Sequence, residues 1–393
     1  PYNTSTLVLL QIVQRYGDIT PSLFYPGDPY ANDTWPDGLA NLTPKGKRRM
    51  YETGRQLRHR YGQWLGVSPK TIYQRSASVN RCLESAYAVS AGMYQPEGRW
   101  VWDRPLELAH LWQPMAIQTV PTAIDPLLDV SADCPVADTL DEDQNNSPQV
   151  LAFMAAHQSF VNQLNEATGN NFTFVGSVAT LYKTLVTELD YPKPPPPWLR
   201  AMGVKRTMAR LEEFQRETVN LLSVDPTVQR LRGGPLIGVL IDNMNSAIAM
   251  EANSTMVKVN HYTTNDVTIA IIYRILNNKI ILPSFGSALV FELHLINGSY
   301  VVKVLYANQF HGFDFDWNNV MMPNCKSGND PIGQCTFNTF FDSLNNSIPV
   351  NWASECGLTY PVPIYPSQIC RLAYKVTQSQ TYLKVPDKSN AYH

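Results

Sequence analysis

Residues 7–21 read Leu-Val-Leu-Leu-Gln-Ile-Val-Gln-Arg-Tyr-Gly-Asp-Ile-Thr-Pro, and within them the chain changes character. The run 7–13 is rich in leucine, valine and isoleucine, with no polar alternation beyond Gln11, as expected of a buried strand. Arg15-Tyr16-Gly17-Asp18 then ends the run in a loop. Strand-to-loop junctions are where α/β sheets place their ligands, so Arg15 to Pro21 is the first place to look for a site.

Residues 21–39 are studded with Pro, Gly, Asp and Asn and read as loop. Thr43-Pro44 supplies an N-cap and a first-turn proline for a helix running to about Trp64. That helix carries Lys45, Lys47, Arg48, Arg49, Arg55, Arg58 and Arg60, which read as a solvated face. A second strand at 71–74 delivers Arg75-Ser76 to a loop, and 80–93 has helical spacing, repeating the first pattern. From about Pro135 to Leu231 helical patterns dominate, at 147–165, 177–188 and 199–222, around the stiff stretch 192–197. Strand patterning returns at 255–259, 288–296 and 300–306, and Asn297-Gly298 joins the last two as a hairpin. The expected fold class is α/β, with a central, mostly parallel sheet flanked by helices. Its core is formed by 1–134 and 232–393, and 135–231 is an inserted, mainly helical domain.

With 393 residues, 44% hydrophobic and 16% charged, the chain can bury a large core and exceeds the usual size of one compact domain. A net charge of −2 gives no long-range field toward nucleic acid or an anionic membrane. No apolar run approaches the roughly 20 residues that span a bilayer. A start at Pro1 is expected of a mature protein whose leader has been removed. Sequons at Asn3, Asn32, Asn41, Asn145, Asn171, Asn253, Asn297 and Asn345 point to a secreted, extracellular glycoprotein. The six cysteines, with no CxxC and no Cys/His cluster at metal spacing, read as three disulfides and argue against a metal.

Arg15-Tyr16-Gly17-Asp18-Ile19-Thr20-Pro21 resembles the RHGxRxP signature of the histidine acid phosphatases. Trp35-Pro36, Leu42-Thr43, Gly46, Arg75-Ser76, Arg81, Leu111-Trp112-Gln113-Pro114, Thr119-Val120-Pro121, Pro283 and Trp352-Ala353-Ser354-Glu355-Cys356 recur in that family's order and spacing. The resemblance covers nearly the whole chain and is closest to the prostatic and lysosomal branch. It implies the histidine-phosphatase sheet with its helical lobe. It also implies the bridges Cys134–Cys356 and Cys325–Cys335; Cys82 and Cys370 are then left to each other by count.

The resemblance further implies that the catalytic centre is dismantled. The family's histidine attacks phosphorus while arginines clamp the phosphate oxygens, but Tyr16 and Ile19 stand at the histidine and at the second signature arginine. A phenol, ordinarily protonated up to about pH 10, is a poor substitute for imidazole. The family's distal His-Asp pair falls at Thr264-Asn265 without a gap or at Asn265-Asp266 with one, and neither register supplies the histidine. Losing a nucleophile alone costs a hydrolase on the order of 10⁶ in turnover.

The expected function is therefore binding, with no cofactor, in the vacated cleft. Arg15, Tyr16, Asp18, Ile19, Arg75, Asn265 and Asp266 are the candidate ligand contacts. Carboxylates with aromatic walls suit a protonated amine, whereas Arg15 and Arg75 suit a carboxylate. The sequence also resembles the acid-phosphatase-like proteins of flea saliva, which implies sequestration of serotonin, catecholamines or leukotrienes by a monomer or homodimer. Residual phosphatase activity, or a glycoprotein acting through its surface, are the alternatives.

Overall fold

The computed structural model describes residues 2–362 except 34, 104–107, 109, 250–256, 309–311 and 326–333. The chain opens with β1 (Leu7–Arg15), α1 (Pro44–Leu65), β2 (Ile72–Ser76) and α2 (Asn80–Met93). A helical stretch follows: α3 (Pro135–Asn145), α4 (Pro148–Thr168), α5 (Val175–Asp190), α6 (Pro197–Met202), α7 (Val204–Val224), α8 (Pro226–Arg232) and α9 (Gly234–Ala249). Then come β3 (Val259–Thr264), α10 (Asp266–Asn277), β4 (Ala288–Ile296), β5 (Ser299–Asn308), β6 (Asp316–Asn319), β7 (Gln334–Thr336), α11 (Phe337–Leu344) and α12 (Trp352–Glu355).

The strands form one sheet in the order β2-β3-β1-β4-β5-β6, with β7 also paired to β5. Only β2, β3 and β1 run parallel; β4 to β7 pair antiparallel, so the sheet is mixed rather than mostly parallel. A parallel neighbour needs a long crossover, and β4 instead turns straight into β5 at Asn297-Gly298, whose φ values of 50° and 78° suit a tight hairpin.

Strand β1 reads as a continuous apolar run because both its faces are covered. Leu10 and Ile12 join a core with Met50, Leu57 and Val89 of α1 and α2, while Leu9 and Val13 join the opposite core with Leu236, Leu240 and Phe291. Gln11, fully buried, donates to Leu240 O at 2.8 Å and accepts from Asn243, which ties β1 to α9. A third apolar cluster, with Phe160, Leu164, Leu185, Leu211 and Phe214, belongs to α4–α7.

The helix expected at 199–222 is broken at Gly203, whose φ of 87° ends α6 before α7 begins. Helix α9 has no counterpart in the sequence reading: its first eight residues, 234–241, are all buried and show no alternation of apolar and polar faces. Of the strand expected at 255–259, only its last residue opens β3, and 255–256 lie outside the described residues.

Two bridges form as expected, Cys134–Cys356 and Cys325–Cys335. The third, Cys82–Cys370, falls on a residue outside the described ones; among the described residues Cys82 is a free thiol. Cys82 sits in the first turn of α2, 1% exposed, with its Sγ 3.8 Å from Thr264 O, so the core already fills the space a partner would need. Burial pushes its thiol up to about 12. Iodoacetamide at pH 8 is accordingly expected to leave Cys82 unlabelled in the native protein and to label it after denaturation without reductant. Peptide mapping that recovers Cys82 linked to Cys370 would overturn this.

Candidate functional site

The loop after β1 is shaped by its backbone. Arg15 N donates to Ser287 O at 2.9 Å, Tyr16 N to Thr264 O at 3.3 Å, and Gly286 N to Tyr16 O at 3.0 Å. These bonds hold residues 15 and 16 between the ends of β3 and β4. The loop then passes against the start of α1, where a Cβ on Gly46 would lie 2.2 Å from Asp18 O. Thr43 Oγ1 caps α1 by accepting from Gly46 N and donates to Asp18 O. The expected cap is thus also a strut under the loop.

At the C-terminal ends of β1 and β3, a cavity of about 510 Å³ opens between the sheet and the helices α5 and α7. Tyr16 and Ile19 form part of its wall, each less than 10% exposed. The Arg15 guanidinium stacks 4.1 Å from the Phe285 ring centroid, donates to Pro283 O, and lies 3.7 Å from Asp266 Oδ2. Lys183 Nζ is 3.6 Å from the same oxygen. Burial alone would raise the Asp266 carboxyl, but Arg15 and Lys183 more than offset it and hold the group below the ordinary carboxylate range. Arg81 reaches toward the floor with its guanidinium 4.9 Å from the Tyr16 ring centroid. Glu212 and Arg216, paired at 2.6 Å, close the outer wall.

Of the residues expected at the ligand, Arg15, Tyr16, Ile19 and Asp266 line this cavity, whereas Asp18, Arg75 and Asn265 do not. Asp18 faces a neighbouring depression and accepts from Arg49 at 2.5 and 3.0 Å. Burial would raise that carboxyl, yet Arg49 and Lys45 hold it below its usual value. Arg75 points away, paired with the fully buried Asp125 at 2.5 Å. Asn265 caps α10, its Oδ1 accepting from Thr268 N at 2.9 Å, and this leaves Asp266 in the first turn facing the cavity. His261 is buried in β3 between Gln14 Oε1 and Gln74 Oε1, and burial pushes it down to about 4, so it is a neutral core side chain.

Lys183, Tyr182, Arg216, Phe285 and Tyr306 also line the cavity and were not legible in the sequence. They come from α5, α7, β5 and the segment before β4, with no spacing motif linking them. Trp35 and Trp198 lie outside it, donating to Tyr30 O and Tyr25 Oη as scaffold.

The family description "Histidine phosphatase superfamily (branch 2)" matches residues 11–307. The chain belongs to this superfamily. It is 28% identical over 366 residues to prostatic acid phosphatase of Rattus norvegicus, covering 91% of this chain and 90% of that protein. It is likewise 28% identical over 359 residues to lysosomal acid phosphatase of Bos taurus, covering 90% and 81%. Among solved structures, Hafnia alvei phytase in complex with tartrate superposes with a TM-score of 0.68 at 18% identity, covering 91% and 99%, which supports the fold alone. These relatives are named as phosphatases, and the two disulfides observed here fit an extracellular protein. No helix among the described residues is long and apolar enough to cross a membrane.

Beside the cavity, in this member of the superfamily, two carboxyls meet in the interior. Glu188 of α5 is 1% exposed and Asp28 of the loop after β1 is 8% exposed. Burial, first, and the neighbouring Asp28 push the Glu188 carboxyl up to about 9, above an ordinary value of 4.5. A folded-state value raised in this way gives stability that is fully present below about pH 4.5 and is lost as pH rises toward 9. Glu188→Gln is expected to leave Tm unchanged near pH 4.5 and to raise it by several degrees near pH 8.5. Parallel Tm-against-pH curves for variant and parent in differential scanning fluorimetry would show that Glu188 is not the group responsible.

Proposed function

We propose that this chain is a secreted, extracellular, catalytically inert member of its superfamily that sequesters small-molecule mediators in the former catalytic cleft. The observation that carries the reading is the cavity wall. Tyr16 and Ile19 fill the positions where the family signature has its nucleophile and second phosphate-binding arginine, and Arg15 is already engaged with Asp266, Pro283 O and Phe285. A general acid with no nucleophile to follow has nothing to protonate.

The first ligand class is a biogenic amine such as serotonin or a catecholamine. Neither cation beside Asp266 comes within hydrogen-bonding distance of it, and Lys183 is 48% exposed, free to turn toward solvent. A ligand ammonium would take the vacated face of the carboxylate while its ring packs on Tyr16, Phe285, Tyr182 or Tyr306. Leukotrienes are the second class. Arg15, Lys183 and Arg216 outnumber Asp266 and Glu212 in the wall, and Leu23, Val186, Val219, Ile281 and Leu282 offer an apolar surface for a long chain. On this reading the protein acts stoichiometrically, lowering free mediator without turnover.

Calorimetry with serotonin and a leukotriene, alongside p-nitrophenyl phosphate assays from about pH 4 to 8, tests the reading. Tight binding without measurable turnover is expected. Asp266→Asn should weaken the amine by about 2–5 kcal/mol, and Arg15→Ala should do the same to the leukotriene. Arg75→Ala, which strands the buried Asp125, should lower stability by about 3–5 kcal/mol and leave both affinities unchanged. Absence of heat with either ligand, or turnover within about tenfold of an active acid phosphatase, would overturn the proposal.

A further inference from the structure

The parallel strands have a second open end. The cavity lies at the C-terminal ends of β1 and β3, whereas an open depression of about 460 Å³ lies where β2 and β3 begin, bounded by Gly66, Thr71, Trp100 and Lys258. Strands of this length separate the two sites by roughly 15–20 Å. Gly66 and Gly98 border the depression with φ of 65° and 54°, and nothing lies within 4 Å of where a Cβ would stand on either. The rim is therefore open to a large ligand.

Its cations have few carboxylates beside them. Lys45, Lys47, Arg48, Arg49 and Arg55 of α1 each have a carboxylate within 4.0 Å. Lys70, Arg99 and Lys258 have no ion-pair partner among the described residues. They are held instead over indoles: Lys70 Nζ and Arg99 Cζ lie 5.9 and 5.0 Å from the Trp100 ring centroid, and Lys258 Nζ lies 5.5 Å from that of Trp64. The carboxylate in the depression, Glu97, is 4.0 Å from Arg58, which cancels it. Three uncompensated cations thus converge on one face of a chain whose net charge is −2.

We propose that this depression binds a sulfated polysaccharide chain of the glycosaminoglycan type. The cations come from three separate segments and stand as separate points around an open rim, so they match sulfates spaced along a polymer better than a single compact phosphate. The Trp100 ring is already occupied by Arg99 and Lys70, which removes the stacking surface that a nucleobase would use. Because the depression and the cavity open at opposite ends of the sheet, a polysaccharide can hold the protein in an extracellular matrix without covering the cavity.

The test uses the full, disulfide-intact protein and a heparin-derived octasaccharide, titrated by calorimetry at about 50 and 300 mM NaCl. Binding at low salt that weakens several-fold at high salt is expected. The triple variant Lys70→Ala, Arg99→Ala, Lys258→Ala should lose about tenfold or more in affinity. A reference variant that removes equal charge from α6 and α7, Arg200→Ala, Lys205→Ala, Arg206→Ala, should keep it. No octasaccharide binding at low salt would overturn the proposal, and so would an equal loss in the reference variant. Binding of ADP or inorganic phosphate that depends on Lys70, Arg99 and Lys258, with the octasaccharide inert, would assign the depression to a compact phosphate instead.

Discussion

Arg15 and Asp266 face each other at 3.7 Å across the ends of β1 and β3, and the character of the cavity follows from that pairing. A guanidinium this enclosed cannot be left without a counter-charge, because the penalty for an unpaired buried ion exceeds what the surrounding packing supplies. Asp266 provides the counter-charge, Phe285 covers one face of the guanidinium, and Pro283 O takes one of its protons. The charge of Arg15 is therefore largely spent inside the wall.

The second constraint is the pair Asp18–Arg49. It is buried, bidentate and shared with Lys45, which also reaches Asp190 of α5. In this way one carboxylate of the signature loop ties that loop to α1 and, through Lys45, to the helical segment. The basic run of α1, read from sequence as a solvated face, resolves into separate jobs. Arg49 is a buried strut, Arg60 stacks between Tyr2 and Trp317 at 3.7 and 4.1 Å, and Arg48 and Arg55 pair with Glu52 on the surface. Linear spacing placed these residues on a helix but could not say which of them would be swallowed by tertiary contacts.

The same limit explains what was legible. Strand β1, the capped start of α1, α2, β4 and the Asn297-Gly298 hairpin could all be read, because local chemistry decides each of them. The direction of β4 to β7 within the sheet could not, and α9 could not, because its buried first half, 234–241, carries no periodicity. At the cavity, Arg15, Tyr16, Ile19 and Asp266 were legible through a motif. Lys183 and Arg216 were not, since only the packing of α5 and α7 over the strand ends brings them there, and neither was Phe285 of the segment before β4. That Arg75 would lie outside the cavity was hidden for a related reason: its partner Asp125 lies 50 residues away in a stretch with no pattern of its own.

The way Tyr16 is held also explains how a catalytic position can change without loss of the fold. Its placement rests on main-chain bonds to Thr264 O and from Gly286 N, which any residue but proline could make at position 16. Ile19 is fixed in the same manner, bridged to Leu42 through the backbone while Thr20 N donates to Asn41 O. The side chains at 16 and 19 are thus free of structural duty except for filling volume, which a phenol and a branched alkyl chain do well against Phe285 and Leu42. Stability resides instead in the two cores on either face of the sheet and in the Asp18–Arg49 and Arg75–Asp125 pairs. With the scaffold secured outside the cavity, substitution within it changes what the wall can hold while the loop that forms the wall stays in place.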